Sequence, residues 1–303
     1  MPVAARQLHK STSERILMRW SKSCALALLT AATLSAGCSS VQLAYNHAPA
    51  LLQFQMDRYL NLDQSQEALL SKELREFQAW HREDKLPLYA ATLQQWATKL
   101  EQPHTFTVAE LLKKQSELEQ TLLVLGQESA YRLAPLVLTL TPSQRERLQS
   151  RFDRANAKYA RENLEDPQAA QAQRIDNFIE RYEQWLGELT QEQDQTLRQW
   201  LLTQPSGAQL WAQERLARQQ ALLQLLADAQ DLPSAEAAAQ ELNNYFQSLS
   251  RYRVADLQAE RQTRQLALAE LTAKMLNSMT PQQREHLREK LLSYANDFQA
   301  LAS

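Results

Sequence analysis

Apolar residues recur at helical spacing over long stretches of this sequence. One stripe consists of Val108, Leu111, Leu112, Leu118, Leu122, Leu125, Leu133, Leu136 and Leu140. A second consists of Leu242, Tyr245, Phe246, Leu249, Leu257, Leu266, Leu268, Leu271, Met275 and Met279. Steps of three and four residues place such side chains on one face of a helix. We interpret both stripes as the core of a helical bundle.

The same pattern divides the chain into a series of helices. They are predicted at 49–60, 63–84, 86–101, 107–139, 141–165, 168–187, 190–203, 207–230, 234–278 and 280–301. Glycine is nearly absent after residue 38, and β-branched residues are few, whereas Leu, Ala, Gln, Glu and Arg are abundant. These are strong helix formers. The chain is therefore expected to be all-α, an elongated multi-helix bundle.

A five-residue motif occurs four times. The copies are Leu62-Asp63-Gln64-Ser65-Gln66, Leu140-Thr141-Pro142-Ser143-Gln144, Leu189-Thr190-Gln191-Glu192-Gln193 and Met279-Thr280-Pro281-Gln282-Gln283. Each copy predicts a helix start, in which the Asp or Thr is the N-cap and the Gln three residues later closes a capping box. Pro142 and Pro281 then occupy the first helical position, where an N–H is not needed.

The spacing of the four copies indicates an internal repeat. The first and third copies are 127 residues apart and the second and fourth 139. We infer a tandem duplication of a roughly five-helix unit, with one half at 49–165 and the other at 168–303.

The N-terminal part of the chain has the features of an export signal. Arg19 and Lys22 precede an apolar stretch of about a dozen residues, which is shorter than the ~20 residues of a membrane-spanning helix. We interpret 1–37 as a signal peptide. Because polar sequence precedes the basic residues, Met18 is predicted to be the true start.

The sequence Leu34-Ser35-Ala36-Gly37-Cys38 resembles the lipobox of bacterial lipoproteins. The resemblance implies cleavage between Gly37 and Cys38 and a diacylglyceryl group on the Cys38 thiol. Residues 38–48 would then form a lipidated tether. Ser39, rather than Asp, implies sorting to the outer membrane, where the protein would face the periplasm. Two or more acyl chains hold a protein stably at a bilayer.

Charge and residue types narrow the possible chemistry. Removing the five basic residues and one acidic residue of 1–37 from totals of 33 and 35 leaves 28 and 34, a net charge near −6. This argues against nucleic-acid binding, which needs basic clusters. It also leaves the acyl chains on Cys38 as the only expected membrane contact. Beyond Cys38 there is no further thiol for a disulfide, a nucleophile or a metal site.

The histidines and glycines likewise fit no catalytic pattern. His81 and His286 have acidic neighbours and are expected on solvated faces. No histidine pair has metal spacing, and a glycine-rich phosphate loop is absent. We therefore expect no cofactor, no metal and no catalytic residue. The segment Tyr45-Asn46-His47-Ala48-Pro49 is either a plain tether ending at a proline-led helix or a docking point.

Two family resemblances follow from these residues. From Cys38-Ser39-Ser40 to the last motif, the chain resembles an uncharacterised family of proteobacterial lipoproteins, which implies no activity. The Leu-Thr-x-x-Gln copies are similar to the signature of small periplasmic stress chaperones, which are all-helical, cradle-shaped dimers. Those chaperones are soluble rather than lipidated, and the motif departs from theirs at Asp63 and Met279.

Three classes of function remain open at this point. The first is a non-enzymatic envelope interaction or scaffold protein with an unidentified envelope partner. The second is a chaperone-like holdase, which predicts a large exposed apolar surface. The third is a helical enzyme with a carboxylate site, which requires polar groups that converge in a pocket.

Overall fold

The computed structural model describes residues 39–303, and the predicted all-α fold class is confirmed: this part of the chain contains no β-strand. The predicted signal peptide with Met18, the cleavage site at Gly37 and the lipidation site at Cys38 lie outside the described residues. The chain forms two compact units divided between Asn46 and His47. Of the first unit, the described part is the beginning of one helix.

The helices follow one another with short connections. They are α1 (Ser40–Leu60), α2 (Gln64–Trp80), α3 (Leu86–Leu100), α4 (Val108–Val137), α5 (Pro142–Asn163), α6 (Pro167–Leu186), α7 (Gln191–Thr203), α8 (Ala208–Asp228), α9 (Ala235–Leu249), α10 (Ala255–Asn277) and α11 (Pro281–Ala302). A π-helical turn, His81–Lys85, joins α2 to α3, and a 3₁₀ turn, Ala229–Asp231, follows α8. Within residues 39–303, no helix is both long and apolar enough to cross a membrane.

Helix packing mixes the two predicted halves. The helix α4 packs against α2, α9 and α10, and α11 packs against α3 and α6. The helices α5 and α8 also lie side by side. Four of these contacts join the predicted half 49–165 to the half 168–303: α4 with α9, α4 with α10, α3 with α11 and α5 with α8. The duplication itself stays a prediction.

The buried side chains form two core clusters. The first contains residues of α2, α4 and α5 together with Leu226 of α8 and Leu242 of α9. The second contains residues of α6, α7, α10 and α11 together with Ala97 of α3 and Phe106. Each cluster therefore holds two of the four motif copies and is completed by helices from the other half.

The predicted tether at 38–48 is wrong for residues 40–48, because α1 begins at Ser40. The Ser39 hydroxyl accepts the N–H of Gln42 at 3.2 Å, so this side chain satisfies a free donor of the first turn. Pro49 lies inside α1 rather than at its start. Its missing N–H removes one backbone hydrogen bond without ending the helix.

The predicted helix 234–278 is interrupted between Leu249 and Ala255. The Glu214 carboxylate of α8 accepts the N–H groups of Arg253 and Val254 at 2.8 and 2.9 Å. These backbone donors are therefore bound by a residue distant in sequence, and α10 starts as a separate helix at Ala255. Periodicity alone cannot reveal such an interruption.

The helices predicted at 63–84 and 86–101 are joined without a break. The turn His81–Lys85 is π-helical, and the N–H of Leu86 bonds the carbonyl of His81. Pro87 has no N–H to donate to the carbonyl four residues earlier, as a regular α-helix requires. The widened π-helical turn lies directly before this proline.

The interpretation of both apolar stripes as continuous core is wrong for their middle sections. Leu118 and Leu122 of α4 are 59% and 56% exposed, and Leu266 and Leu268 of α10 are 44% and 41% exposed. Burial resumes at the ends of the stripes, for example at Leu136. In the middle of each stripe, the leucine side chains therefore contact solvent as well as protein.

Candidate functional site: two paired capping motifs and a central groove

The repeated motif forms a capping box in all four copies. The side chains of Asp63, Thr141, Thr190 and Thr280 each accept the N–H of the Gln three residues later. In return, the side-chain oxygens of Gln66, Gln144, Gln193 and Gln283 accept the N-cap N–H at 2.9 to 3.0 Å. Two backbone donors are satisfied at each helix start.

The first two copies bind each other through their glutamines. Gln66 Nε2 donates to Gln144 Oε1 at 3.1 Å, and Gln144 Nε2 donates to Gln66 Oε1 at 2.6 Å. Both side chains are buried, at 2% and 7% exposure. The N-termini of α2 and α5 are thereby held together, although the residues are 78 positions apart.

The last two copies form the same arrangement. Gln193 Nε2 donates to Gln283 Oε1 at 2.9 Å, and Gln283 Nε2 donates to Gln193 Oε1 at 2.7 Å. The side chains are 3% and 4% exposed. The N-termini of α7 and α11 are thus joined in the same way as those of α2 and α5.

Each glutamine also donates to the carbonyl two residues before its partner's N-cap. These four bonds run from Gln66 to Thr139, from Gln144 to Asn61, from Gln193 to Ser278 and from Gln283 to Glu188, at 2.8 to 3.1 Å. Each of the four glutamine side chains therefore donates two hydrogen bonds through its NH₂ group and accepts two through its oxygen. A buried polar network in which every hydrogen bond is made stabilises one arrangement of the helices. The four glutamines therefore join helix N-termini.

Sequence reasoning identified the eight capping residues but missed the pairing. The signal that could have revealed it is the amide itself. A capping box uses only the Gln oxygen, which leaves an NH₂ group that requires acceptors when it is buried. The buried leucines that follow each copy, such as Leu70 and Leu197 at 0% exposure, indicate that these helix starts are inside.

An apolar cavity of about 310 Å³ lies beside the first motif pair. Its walls come from α1, α4, α5, α8 and α9, and include Tyr59, Val137, Leu148 and Phe152. No charged side chain lines it. This volume is at the lower end of the range for small-molecule sites.

A second cavity of about 320 Å³ lies beside the other motif pair. Leu186, Leu276, Leu287 and Leu291 line it, and they stand at the same offsets from their motif N-caps as the four residues named for the first cavity. Helix α3 from the other predicted half closes this cavity through Trp96. Each of the two glutamine pairs therefore has an apolar cavity beside it.

A groove of about 520 Å³ lies between α4, α9 and α10. Its lining includes the exposed residues Leu122 and Leu268, and Phe246 beside Gly126. A Cβ atom added at Gly126 would be 3.1 Å from the Phe246 Cβ, so the glycine permits this close approach. The groove combines accessible apolar side chains with a polar rim.

The rim of this central groove carries one ion pair between two helices and one within a single helix. Arg261 of α10 contacts the Glu119 carboxylate of α4 at 2.8 Å, and Gln265 donates to the same carboxylate at 2.8 Å. Arg264 pairs with Glu260 within α10. Apolar surface bordered by fixed polar groups is typical of protein interaction sites.

The expectation of a solvated face for His81 is wrong. Its ring is half-buried and stacks on Phe77, with ring centroids 6.1 Å apart, and meets Tyr89 edge-on at 5.6 Å. Burial lowers the pKa of His81, and the nearby Lys85 lowers it further. Within residues 39–303, no cluster of His, Cys, Asp and Glu could hold a metal ion.

The predicted docking residues Tyr45, Asn46 and Pro49 all lie on α1. Tyr45 and Pro49 are half-buried, and Asn46 is exposed. None of them lies at the motif pairs, the cavities or the groove.

The model of a family of unknown function, DUF6279, matches residues 58–249, a range that includes three of the four motif copies. No curated protein and no solved structure matches the chain.

Proposed function

Since this chain belongs to the family of unknown function DUF6279, which brings no activity with it, we propose a function from its own residues. The protein is a lipoprotein of the cell envelope, anchored through acyl chains on Cys38 in the outer membrane and facing the periplasm. It binds an envelope protein partner without catalysing a reaction. The observation that carries the binding function is the central groove of α4, α9 and α10 with its exposed leucines.

The anchor is supported by the order of residues around Cys38. An apolar stretch and small residues precede it, and Ser39 follows it. The test is incorporation of labelled palmitate by growing cells. The wild-type protein is expected to take up label and to sediment with membranes. The Cys38→Ser variant should take up none, and equal labelling of both proteins would refute the anchor.

The binding function is supported by a contrast within the protein. The polar residues repeated in the sequence are fully engaged with one another, whereas the groove presents Leu122 and Leu268 to solvent. Removing such side chains from water favours association. The partner we infer is an envelope protein segment with apolar side chains, flanked by polar groups that meet Arg261 and Arg264.

A photo-crosslinking residue placed at Leu122 in the full-length protein tests the groove in intact envelopes. The matched control position is Leu202 of α7, which is 65% exposed and lies outside the groove. We expect one discrete product from position 122 and none from 202. That product should disappear when Leu268→Asp is added, while the circular dichroism spectrum stays helical. Equal products from both positions would contradict the proposal.

A holdase is the second candidate, because exposed leucines also suit unfolded clients. It predicts that the purified protein suppresses aggregation of several unrelated denatured proteins. It further predicts that Leu122→Asp weakens this suppression more than Leu202→Asp does. A single specific crosslinked partner without suppression favours the interaction protein instead.

A further inference from the structure

The helix α1 packs on the protein with only one of its faces between His47 and Leu60. Leu60 belongs to the first core cluster, and Met56 and Tyr59 pack against that cluster. On the opposite face, Leu51 and Phe54 are 60% and 61% exposed. The two exposed residues are three positions apart and therefore share a face of the helix.

This exposed face lacks the charges that a water-facing helix surface carries. The sequence contains no Lys, Arg, Asp or Glu from Ser23 to Met56. A surface helix of a globular protein places charged residues opposite its buried stripe. From Ser40 to Met56 neither face of α1 carries a charged residue, which favours contact of the outer face with something less polar than bulk water.

Charge appears only at the C-terminal end of α1. The Asp57 carboxylate accepts the N–H of Leu62 at 3.0 Å and is thus turned toward the backbone. The Arg58 guanidinium lies 5.8 Å from the centre of the Phe54 ring. The exposed apolar face is therefore followed directly by an arginine, the side chain suited to lipid phosphate groups.

We propose that the Leu51 and Phe54 face of α1 lies in the interfacial region of the membrane that carries the anchor. This inference rests on the proposed acylation of Cys38, which precedes the first residue of α1 by two positions. An amphipathic helix in a membrane plane buries its apolar face about 5–10 Å deep. The apolar side chains would enter the acyl boundary, and Arg58 would meet the phosphates.

This contact changes the expectation that the acyl chains alone touch the membrane. That expectation came from the acidic net charge, which argues against electrostatic attraction to anionic lipid. Contact through Leu51 and Phe54 is apolar and needs no basic patch. It would seat the helical domain on the bilayer rather than leave it on a free tether.

Single-cysteine labelling of the full-length protein in isolated membranes tests this inference. The sequence has only two cysteines, Cys24 in the predicted signal and Cys38, so an acylated mature chain offers no other thiol. We compare Leu51→Cys with Leu202→Cys on α7, which lies outside the groove, since the native leucines are 60% and 65% exposed. The probe is a charged, membrane-impermeant maleimide applied to opened envelopes.

We expect Leu51→Cys to react at least about tenfold more slowly than Leu202→Cys in membranes, because a water-soluble reagent is excluded from the acyl boundary. In detergent that disperses the lipid, the two rates should become equal. Equal rates in membranes would overturn the inference while leaving the anchor intact. Protection of position 51 that persists in detergent would also overturn it, because a protein would then cover the face.

Failure of the anchor gives a different result. The unsubstituted protein would then react with the maleimide at Cys38, and it would be found in the soluble fraction. The anchor and the α1 contact are therefore tested by separate readouts in the same preparation.

Discussion

The side-chain amide of Asn277 binds both backbone groups of Phe106. Its Oδ1 accepts the Phe106 N–H at 2.8 Å, and its Nδ2 donates to the Phe106 carbonyl at 2.9 Å. Phe106 lies between α3 and α4 and is 2% exposed in the second core cluster. Asn277 ends α10, two residues before the fourth motif copy. One amide thus ties a connection of the first half to the motif pair of the second.

The substitution Asn277→Ala is expected to lower the free energy of unfolding by about 1–3 kcal/mol, because two hydrogen bonds are lost and a part-buried N–H is left without a partner. Urea denaturation followed by circular dichroism measures this loss. Asn244→Ala is the control, since that side chain is exposed and accepts a bond from Gln240 of the same helix. The control should change stability by less than about 0.5 kcal/mol. Equal losses in both variants would contradict the proposed clamp.

Because Gln193 and Gln283 bond to each other, their contributions to the free energy of unfolding should be coupled. A double-mutant cycle measures this coupling. Gln193→Ala and Gln283→Ala should each cost about 1–3 kcal/mol, because each leaves the partner amide buried with an unmade bond. The double variant should cost less than the two losses together, by about 0.5–3 kcal/mol.

The controls for this cycle are Gln191→Ala and Gln282→Ala, which alter exposed glutamines in the same first turns. They should be nearly neutral and additive. Additive losses for Gln193 and Gln283 would show that the two amides act independently, contrary to the arrangement in the structure.

The local structure was predictable because its causes are local. Caps, prolines at the first helical position and apolar spacing placed most helix ends within two residues, for example α7 at Gln191–Thr203 against a predicted 190–203. The capping residues themselves follow from the same reasoning, since a Thr and a Gln three residues later interact within one turn.

The long-range structure was not predictable because its causes lie far apart in sequence. Glu214 determines where α10 begins by binding N–H groups 39 and 40 positions away. Gln66 bonds to Gln144, which is 78 positions away in the sequence. The exposure of Leu118 and Leu268 depends on which helices cover them, and apolar periodicity alone does not contain that information.

The N-cap threonines are expected to stabilise the fold through their hydroxyl groups rather than through the size of their side chains. Thr190→Ala should lower the free energy of unfolding by about 1 kcal/mol, because Oγ1 no longer accepts the Gln193 N–H, a bond of 3.2 Å. Thr190→Ser keeps that oxygen and should retain most of the stability. Thermal or urea unfolding compares the two variants. If Ser and Ala prove equally destabilising, the cap does not contribute as described.

Glu214 predicts a pH-dependent contribution to stability. Its side chain is buried, at 1% exposure, and receives Arg218 Nε at 2.5 Å in addition to the two backbone N–H groups. Burial opposes ionisation, but the Val254 N–H, the Arg218 guanidinium and the Arg253 N–H outweigh it and lower the pKa of Glu214 below its ordinary value. The folded state therefore prefers the ionised carboxylate.

A folded-state pKa below the unfolded value means that the stabilisation is complete above the unfolded pKa of about 4.3 and is lost as pH falls through the lower folded value. Glu214→Gln, which cannot ionise, should cost about 1.5–3 kcal/mol at pH 7. The difference between wild type and variant should shrink steadily below about pH 4.3, because the wild type loses its advantage there. Urea midpoints from pH 7 to pH 3 measure this difference in stability.

The control is Glu285→Gln, which alters an exposed ion pair with Arg288 and should change stability little at every pH. A Glu214→Gln deficit that stays constant down to pH 3 would mean that the charge on this carboxylate does not stabilise the start of α10.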